Sequence, residues 1–277
     1  MGTIILLASL FVTGISGVQA KNMIDNSGGV PIVFLHSLAG KSTQWASQVE
    51  YLKGKRQTVV LDWPVSACKA SSKEDDCAIP SLAEDIGREI DRRKLDRFIL
   101  VGHSAGASVA IAFAAAHPER VAGLLLVDPS GDMRQLPAEI INPFFDGLAS
   151  AHYPEVIEGY WKSLMPGSEA AVQARILADL RATPKQTVIG VFHALRRFDP
   201  VAALKLSPHP FLAVVAPAND TPISLHQLYP ALPHKLVPGA GHWLHMDKPK
   251  LFNRILDDFI ALANDNAGVS PEAKAIP

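Results

Sequence analysis

Ser104 stands between two glycines in Gly102-His103-Ser104-Ala105-Gly106. A serine hydroxyl attacks a carbonyl only after a base removes its proton, so this motif requires a histidine and a carboxylate elsewhere in the chain. The glycines two residues to either side suit a sharp strand-to-helix turn, where any Cβ would strike the neighbouring strand or helix. Such a turn lifts the Ser104 hydroxyl above a sheet and sets it at a helix N-terminus, which favours a developing anion.

His242 is the candidate base. It lies in the glycine-rich loop Pro238-Gly239-Ala240-Gly241-His242-Trp243, directly after an expected strand. Ligands of open α/β sheets bind at that edge. Among the other histidines, His117 and His152 sit at helix breaks, His209 and His234 adjoin prolines, and His245 falls toward the final helix. The base in turn needs a carboxylate to hold its tautomer. Asp220, in Ala216-Pro217-Ala218-Asn219-Asp220, is the first candidate, and Asp128, in Leu126-Val127-Asp128-Pro129, is the alternative. The backbone amides of His36-Ser37-Leu38-Ala39-Gly40, with that of Ala105, could cradle an oxyanion.

These residues come together only if the elements around them form a parallel sheet. Short apolar runs alternate with helical patterns, which implies an α/β fold with a mostly parallel central sheet and helices on both faces. Strands are expected at Ile32–Leu35, Thr58–Leu61, Phe98–Val101, Gly123–Val127, Phe211–Val215 and Lys235–Val237. Helices are expected at Thr43–Leu52, from Ser81 with Glu84 completing a capping box, at Ala105–Ala116, and at Pro249–Ala263. About 80 residues, 129–208, carry no strand pattern. That is too long for a simple βα connection and predicts a helical cap, with helices at Glu155–Leu164, Glu169–Ala182 and Gln186–Phe198. The domain organisation read from this is a core at 21–128 and 209–263, interrupted by the cap and followed by a flexible tail at 264–277. Phe144, Phe145, Tyr153, Tyr160, Trp161 and Phe192 suit an apolar pocket in the cap, although the same spacing also suits plain core.

The composition agrees with a compact enzyme. Of 277 residues 48% are hydrophobic, too many for a disordered chain. The 26 Lys and Arg against 27 Asp and Glu give no electrostatic reason to expect nucleic acid. Two cysteines cannot complete a four-ligand zinc site without histidine help, and a serine nucleophile needs neither metal nor organic cofactor. The apolar run Ile4–Ile15 is too short to span a bilayer and is followed by Val18-Gln19-Ala20. This reads as a signal peptide, residues 1–20, cut after Ala20, giving a secreted or periplasmic protein without stable membrane insertion. Cys68 and Cys77 flank a polar loop and are expected to pair once exported; the loop-entropy account gives such a bridge roughly 2.5–3 kcal/mol.

With these residues in order, the chain resembles the α/β-hydrolase superfamily, specifically its small cap-bearing serine esterase-like members, over about residues 30–263. Ser, Asp, His is the chain order that superfamily uses. The resemblance implies Ser104 as nucleophile, His242 as base, and Leu38 and Ala105 as oxyanion amides. It implies acyl transfer to water, with a small-molecule ester or lactone as substrate. Carbon–carbon or amide cleavage by the same triad, or slow-turnover ligand sensing, stands as the alternative. Three departures from the pattern appear. His36-Ser37 replaces the usual His-Gly, the leading hairpin is almost absent, and the usual acid position falls on Asn219 rather than Asp220.

Overall fold

The computed structural model describes residues 29–62 and 77–267. The expected signal segment and Cys68, the expected partner of Cys77, lie outside the described residues.

Six strands run β1 (Ile32–Leu35), β2 (Thr58–Leu61), β3 (Phe98–His103), β4 (Val121–Val127), β5 (Phe211–Val215) and β6 (His234–Leu236). They pair in the order β2-β1-β3-β4-β5-β6, every neighbouring pair parallel. Parallel strands need crossovers, and helices supply them. Two core helices, α1 (Ala46–Leu52) and α2 (Ile79–Arg92), precede β3, and α3 (Ala105–Ala116) follows it. The cap contains α4 (Ala138–Ala149), α5 (Tyr153–Ser163), α6 (Ala170–Arg181) and α7 (Lys185–Arg197), and α8 (Pro200–Lys205) returns to the sheet. Beyond β5 come the short α9 (Leu225–Leu228) and α10 (Leu244–Asp247), then α11 (Pro249–Ala267).

Alternation along each central strand feeds two cores. Val33, Leu35, Leu100, Leu124 and Leu126 face one side, where α2, α3 and the cap pack. Ile32, Phe34, Ile99, Val101, Leu125 and Val127 face the other, against Trp45, Phe252 and Phe259. Successive strand side chains point to opposite faces, so uniformly apolar strands signal a sheet covered on both. Each such side chain, fully buried, contributes about 1.5–3 kcal/mol. Helix α3 is buried almost all round, and its alanines let it lie close to the sheet.

Three expectations shift. Helix α2 begins at Ile79 with Ala78 as its N-cap residue, ahead of Ser81, because Pro80 fits the first turn and Glu84 instead reaches His117 at 3.1 Å. Helix α4 was not expected because Pro143 lies within it. That proline, inside the helix, forfeits one backbone hydrogen bond, while Ile141 and Leu148 are buried by the helix. Helix α11 continues past the expected end at Ala263 through Asn264 to Ala267.

Candidate active site

The site grows from the carboxyl ends of three adjacent strands. Ser104 follows β3 with φ 54° and ψ −122°, outside the usual regions for a residue with a side chain. Its N–H donates to the Val127 carbonyl at 2.9 Å, locking the turn to the neighbouring strand. The flanking glycines are required by close approach. A Cβ on Gly102 would sit 2.5 Å from the Gly106 carbonyl oxygen, and one on Gly106 would collide with the His36 carbonyl oxygen. Ala105 opens α3, so its N–H has no partner within the helix.

Asp128 follows β4 with φ 42°, a conformation aspartate adopts more readily than most residues. Its N–H donates to the Val214 carbonyl at 2.7 Å. His103 and Val127 are register partners, so Ser104 and Asp128 leave adjacent strands side by side. The Asp128 carboxylate is 1% exposed and receives donors from two directions. The Ala216 N–H reaches Oδ1 at 2.8 Å, and His242 Nδ1 lies 2.5 Å from Oδ2. The side-chain amide of Asn219 donates to Oδ2 as well. A neutral imidazole that donates Nδ1–H to such a carboxylate carries its lone pair on Nε2, the tautomer a general base needs.

Asp128, and not Asp220, is therefore the partner of His242. Asp220 is exposed on the far side of the turn after β5, where it accepts from His226 Nε2 and Gln227 Nε2, both at 2.9 Å. Those contacts hold its carboxyl below the usual range, Gln227 most strongly. The reason for the shift in position lies in the turn itself. The 3-10 turn Pro217–Asn219 brings Asn219, one residue earlier, to the sheet edge.

The His242 loop is tied down on both sides. The His242 N–H donates to the Leu164 carbonyl of the cap at 2.9 Å. Asp247 Oδ2 accepts from Gly241 N–H at 3.0 Å and from the cap hydroxyl of Ser168 at 2.8 Å. Burial pushes the Asp247 carboxyl up. From beneath, His103 Nε2 donates to the His242 carbonyl at 2.9 Å. Burial first, then the neighbouring His242 and His245, drives the His103 imidazole well below its usual value, so it stays neutral. Sequence reasoning assigned no role to His103, Leu164, Ser168 or Asp247. Only the placement of Asn219 at the family's usual acid position gave a signal for any of the second partners.

The loop after β1 completes the site. Gly40 N–H donates to the Ser37 carbonyl at 3.0 Å, closing a turn with Ala39 at φ 56°. His36 Nδ1 reaches the same carbonyl at 2.7 Å. Because a trans peptide sets N–H opposite C=O, fixing the Ser37 carbonyl inward turns the Leu38 N–H outward. Asp62, at the end of β2, accepts from Ser42 N–H at 2.6 Å, and His36 Nε2 lies 3.5 Å away. The His36 contact, with that of Ser42, holds the Asp62 carboxyl down at about 2.

Ser37, Leu38, Ser104, Ala105, Ser130, His242 and Trp243 share one cavity with the cap residues Tyr160, Trp161, Leu164, Phe192 and Leu195. Its free volume is about 40 Å³. Phe144, Tyr160, Trp161 and Phe192 form a ring cluster above it, with centroids 5.0–6.2 Å apart. Among the described residues no group of three or more His, Cys, Asp or Glu is arranged to hold a metal ion.

A parallel six-stranded sheet with this serine turn and cap is the architecture of one superfamily, and a profile of the alpha/beta hydrolase family matches residues 32–255. The chain belongs to that family. It is 24% identical over 273 residues to an sn-1-specific diacylglycerol lipase of Mus musculus, covering 87% of this chain and 84% of that one. Among solved structures, an enol-lactonase from Burkholderia xenovorans superposes with a TM-score of 0.70 at 20% identity, covering 84% of this chain and 92% of that one. An N-acyl homoserine lactone degrading enzyme superposes with a TM-score of 0.66 at 22% identity, covering 84% of this chain and 94% of that one. The chain is a hydrolase of this family, and these two solved structures share its fold.

Proposed function

We propose that this protein is a serine hydrolase that cleaves carboxylic esters or lactones of small to medium apolar acids through a Ser104–His242–Asp128 triad. The observation that carries this reading is the 2.5 Å contact between His242 Nδ1 and the buried Asp128 carboxylate, in the cavity that Ser104 also lines. In this mechanism His242 Nε2 takes the Ser104 proton as Oγ attacks the carbonyl carbon. The tetrahedral oxyanion is held by the amides of Leu38 and Ala105. Collapse expels the alcohol, which takes the proton from His242, and water releases the acyl group by the same steps in reverse roles. The apolar lining contributed by Trp161, Leu164, Phe192 and Leu195 favours a hydrocarbon acyl chain over a charged one.

The test is a panel of p-nitrophenyl esters from acetate to palmitate, with a lactone series, a serine-directed phosphonate and intact mass. Turnover with a single phosphonyl adduct, lost in Ser104→Ala, supports the reading. An adduct without ester or lactone turnover moves the assignment to amide or carbon–carbon substrates. Neither adduct nor turnover overturns it.

We propose also that the protein is exported from the cytoplasm with Cys68 and Cys77 paired, supported by the apolar segment Ile4–Ile15 and the Val18-Gln19-Ala20 ending. Non-reducing mass spectrometry of exported protein is expected to show a chain beginning at Lys21 with no free thiol. Two free thiols in that sample overturn the pairing.

A further inference from the structure

Ser37 occupies the position where a glycine would carry no side chain, directly before the Leu38 amide. It is 3% exposed and lines the same cavity as Ser104 and His242. Its carbonyl is fully used, accepting from Gly40 N–H and from His36 Nδ1. Its hydroxyl is different: Oγ is buried and has no hydrogen-bond partner among the described residues. A buried hydroxyl left unpaired is destabilising, so such a group in a reactive cavity calls for a partner that arrives with the ligand. The surrounding side chains offer little else. Leu38, Met133, Trp161, Leu164, Phe192 and Leu195 make the cavity predominantly apolar.

We propose that the Ser37 hydroxyl is a third donor to the substrate's carbonyl oxygen, beside the amides of Leu38 and Ala105. This rests on the hydrolase reading above. The turn that directs the Leu38 N–H out of the loop is built on Ser37 itself. Its carbonyl is pinned by two donors, so its backbone, and with it the Cβ that carries the hydroxyl, is fixed before substrate enters. A hydroxyl rotates freely about its Cβ–Oγ bond. It can therefore bond to a trigonal carbonyl oxygen weakly and to the tetrahedral oxyanion more strongly, as charge develops on that atom. Interactions that strengthen in the transition state raise kcat and leave KM nearly unchanged.

The test compares the full chain with Ser37→Ala and Ser37→Gly, the second restoring the small residue common at this position. Three quantities are measured with the best ester found: kcat and KM, the affinity for an alkyl trifluoromethyl ketone that forms an oxyanion adduct on Ser104, and the thermal midpoint. The expected result is a kcat lower by about tenfold to a hundredfold in both variants, with KM within about threefold. Ketone affinity should fall in parallel with kcat/KM, and the thermal midpoint should be equal to or above that of the parent. Unchanged kcat in an active chain overturns the proposal and leaves the triad reading intact. A raised KM with unchanged kcat also overturns it, assigning Ser37 to ground-state binding. A lowered thermal midpoint in both variants, with parent-like kcat in the folded fraction counted by phosphonate titration, assigns Ser37 to folding instead. A parent chain that neither turns over nor is labelled overturns the triad reading, and this proposal with it.

Discussion

Asn219 donates its side-chain amide to Asp128 Oδ2, the same oxygen that faces His242 Nδ1. Asn219 thus steadies the buried carboxylate that follows β4. The Ala216 N–H completes the arrangement from the other oxygen. A carboxylate 1% exposed is tolerable only when its lone pairs are met by donors, and these three meet them.

That arrangement separates the two aspartates by experiment. Asp128→Asn should lower kcat by about 10⁴, because an amide holds His242 in the wrong tautomer. Asp220→Asn, on an exposed turn, should leave kcat within about twofold and stability within about 0.5 kcal/mol. Steady-state kinetics on the two variants decide the assignment, and a large loss in Asp220→Asn would return the acid role there.

Replacing Asn219 with aspartate sets a second negative charge against Asp128 and near His242, whose Nδ1 is 3.3 Å from the amide nitrogen. Two carboxylates in contact do not both stay ionised, so a further proton uptake, above the ordinary carboxylate range, should appear in the kcat/KM profile. In the Asp128→Asn background the same change should recover about tenfold in kcat, since a carboxylate is again within reach of Nδ1. A pH–rate profile of Asn219→Asp superimposable on the parent's would refute this coupling.

His245 bears on acid stability rather than on turnover. It is fully buried, stacked at 4.1 Å on Trp45, and neither ring nitrogen has a partner among the described residues. The His103 ring packs edge-on against it at 4.8 Å and lies 4.7 Å from that of His242. Burial first, then the charge of His242, brings its imidazole down to about 3. The unfolded chain binds a proton there near pH 6.5, while the folded chain does not until about pH 3. Stability is therefore complete above pH 6.5 and declines as pH falls from there toward 3. Urea unfolding of His245→Phe between pH 7 and pH 4 should show a shallower decline than the parent. Identical slopes would assign the acid sensitivity elsewhere.

Phe192 is the cap residue expected to limit acyl-chain length under the proposed function. Its ring lies 5.0 Å from Phe144, 5.6 Å from Tyr160 and 6.2 Å from Trp161, and it lines the cavity directly. Phe192→Ala should cost about 3–5 kcal/mol of stability and shift the preferred acyl chain toward greater length. Chain-length profiles of the two proteins measured below the variant's thermal midpoint test this, and an unchanged optimum would place the acyl group elsewhere in the cavity.

Much of this was legible in one dimension. The strands announce themselves by unbroken apolar runs bounded by loop residues, as at Phe98–Val101 and Gly123–Val127, because a sheet covered on both faces admits nothing else. The serine motif is local too: the two glycines and the serine lie within five residues, and the close backbone approaches that demand glycine arise inside the same turn. His242 follows from its loop at the sheet edge. Helix α4 was hidden because Pro143 weighs against a helix locally, whereas burial of Ile141 and Leu148 is a tertiary effect.

The choice between Asp128 and Asp220 depended on tertiary structure alone. Both lie beside proline or a turn just past a strand, and nothing local distinguishes them. The distinction is made by parallel pairing, which sets Asp128 next to Ser104 through the register of β3 and β4, and by a 3-10 turn that faces Asn219 inward and Asp220 outward. The isolation of the Ser37 hydroxyl was equally invisible in the sequence. A local pattern fixes which atoms a residue carries, but whether those atoms find partners depends on what a distant cap and a neighbouring strand bring within 3 Å.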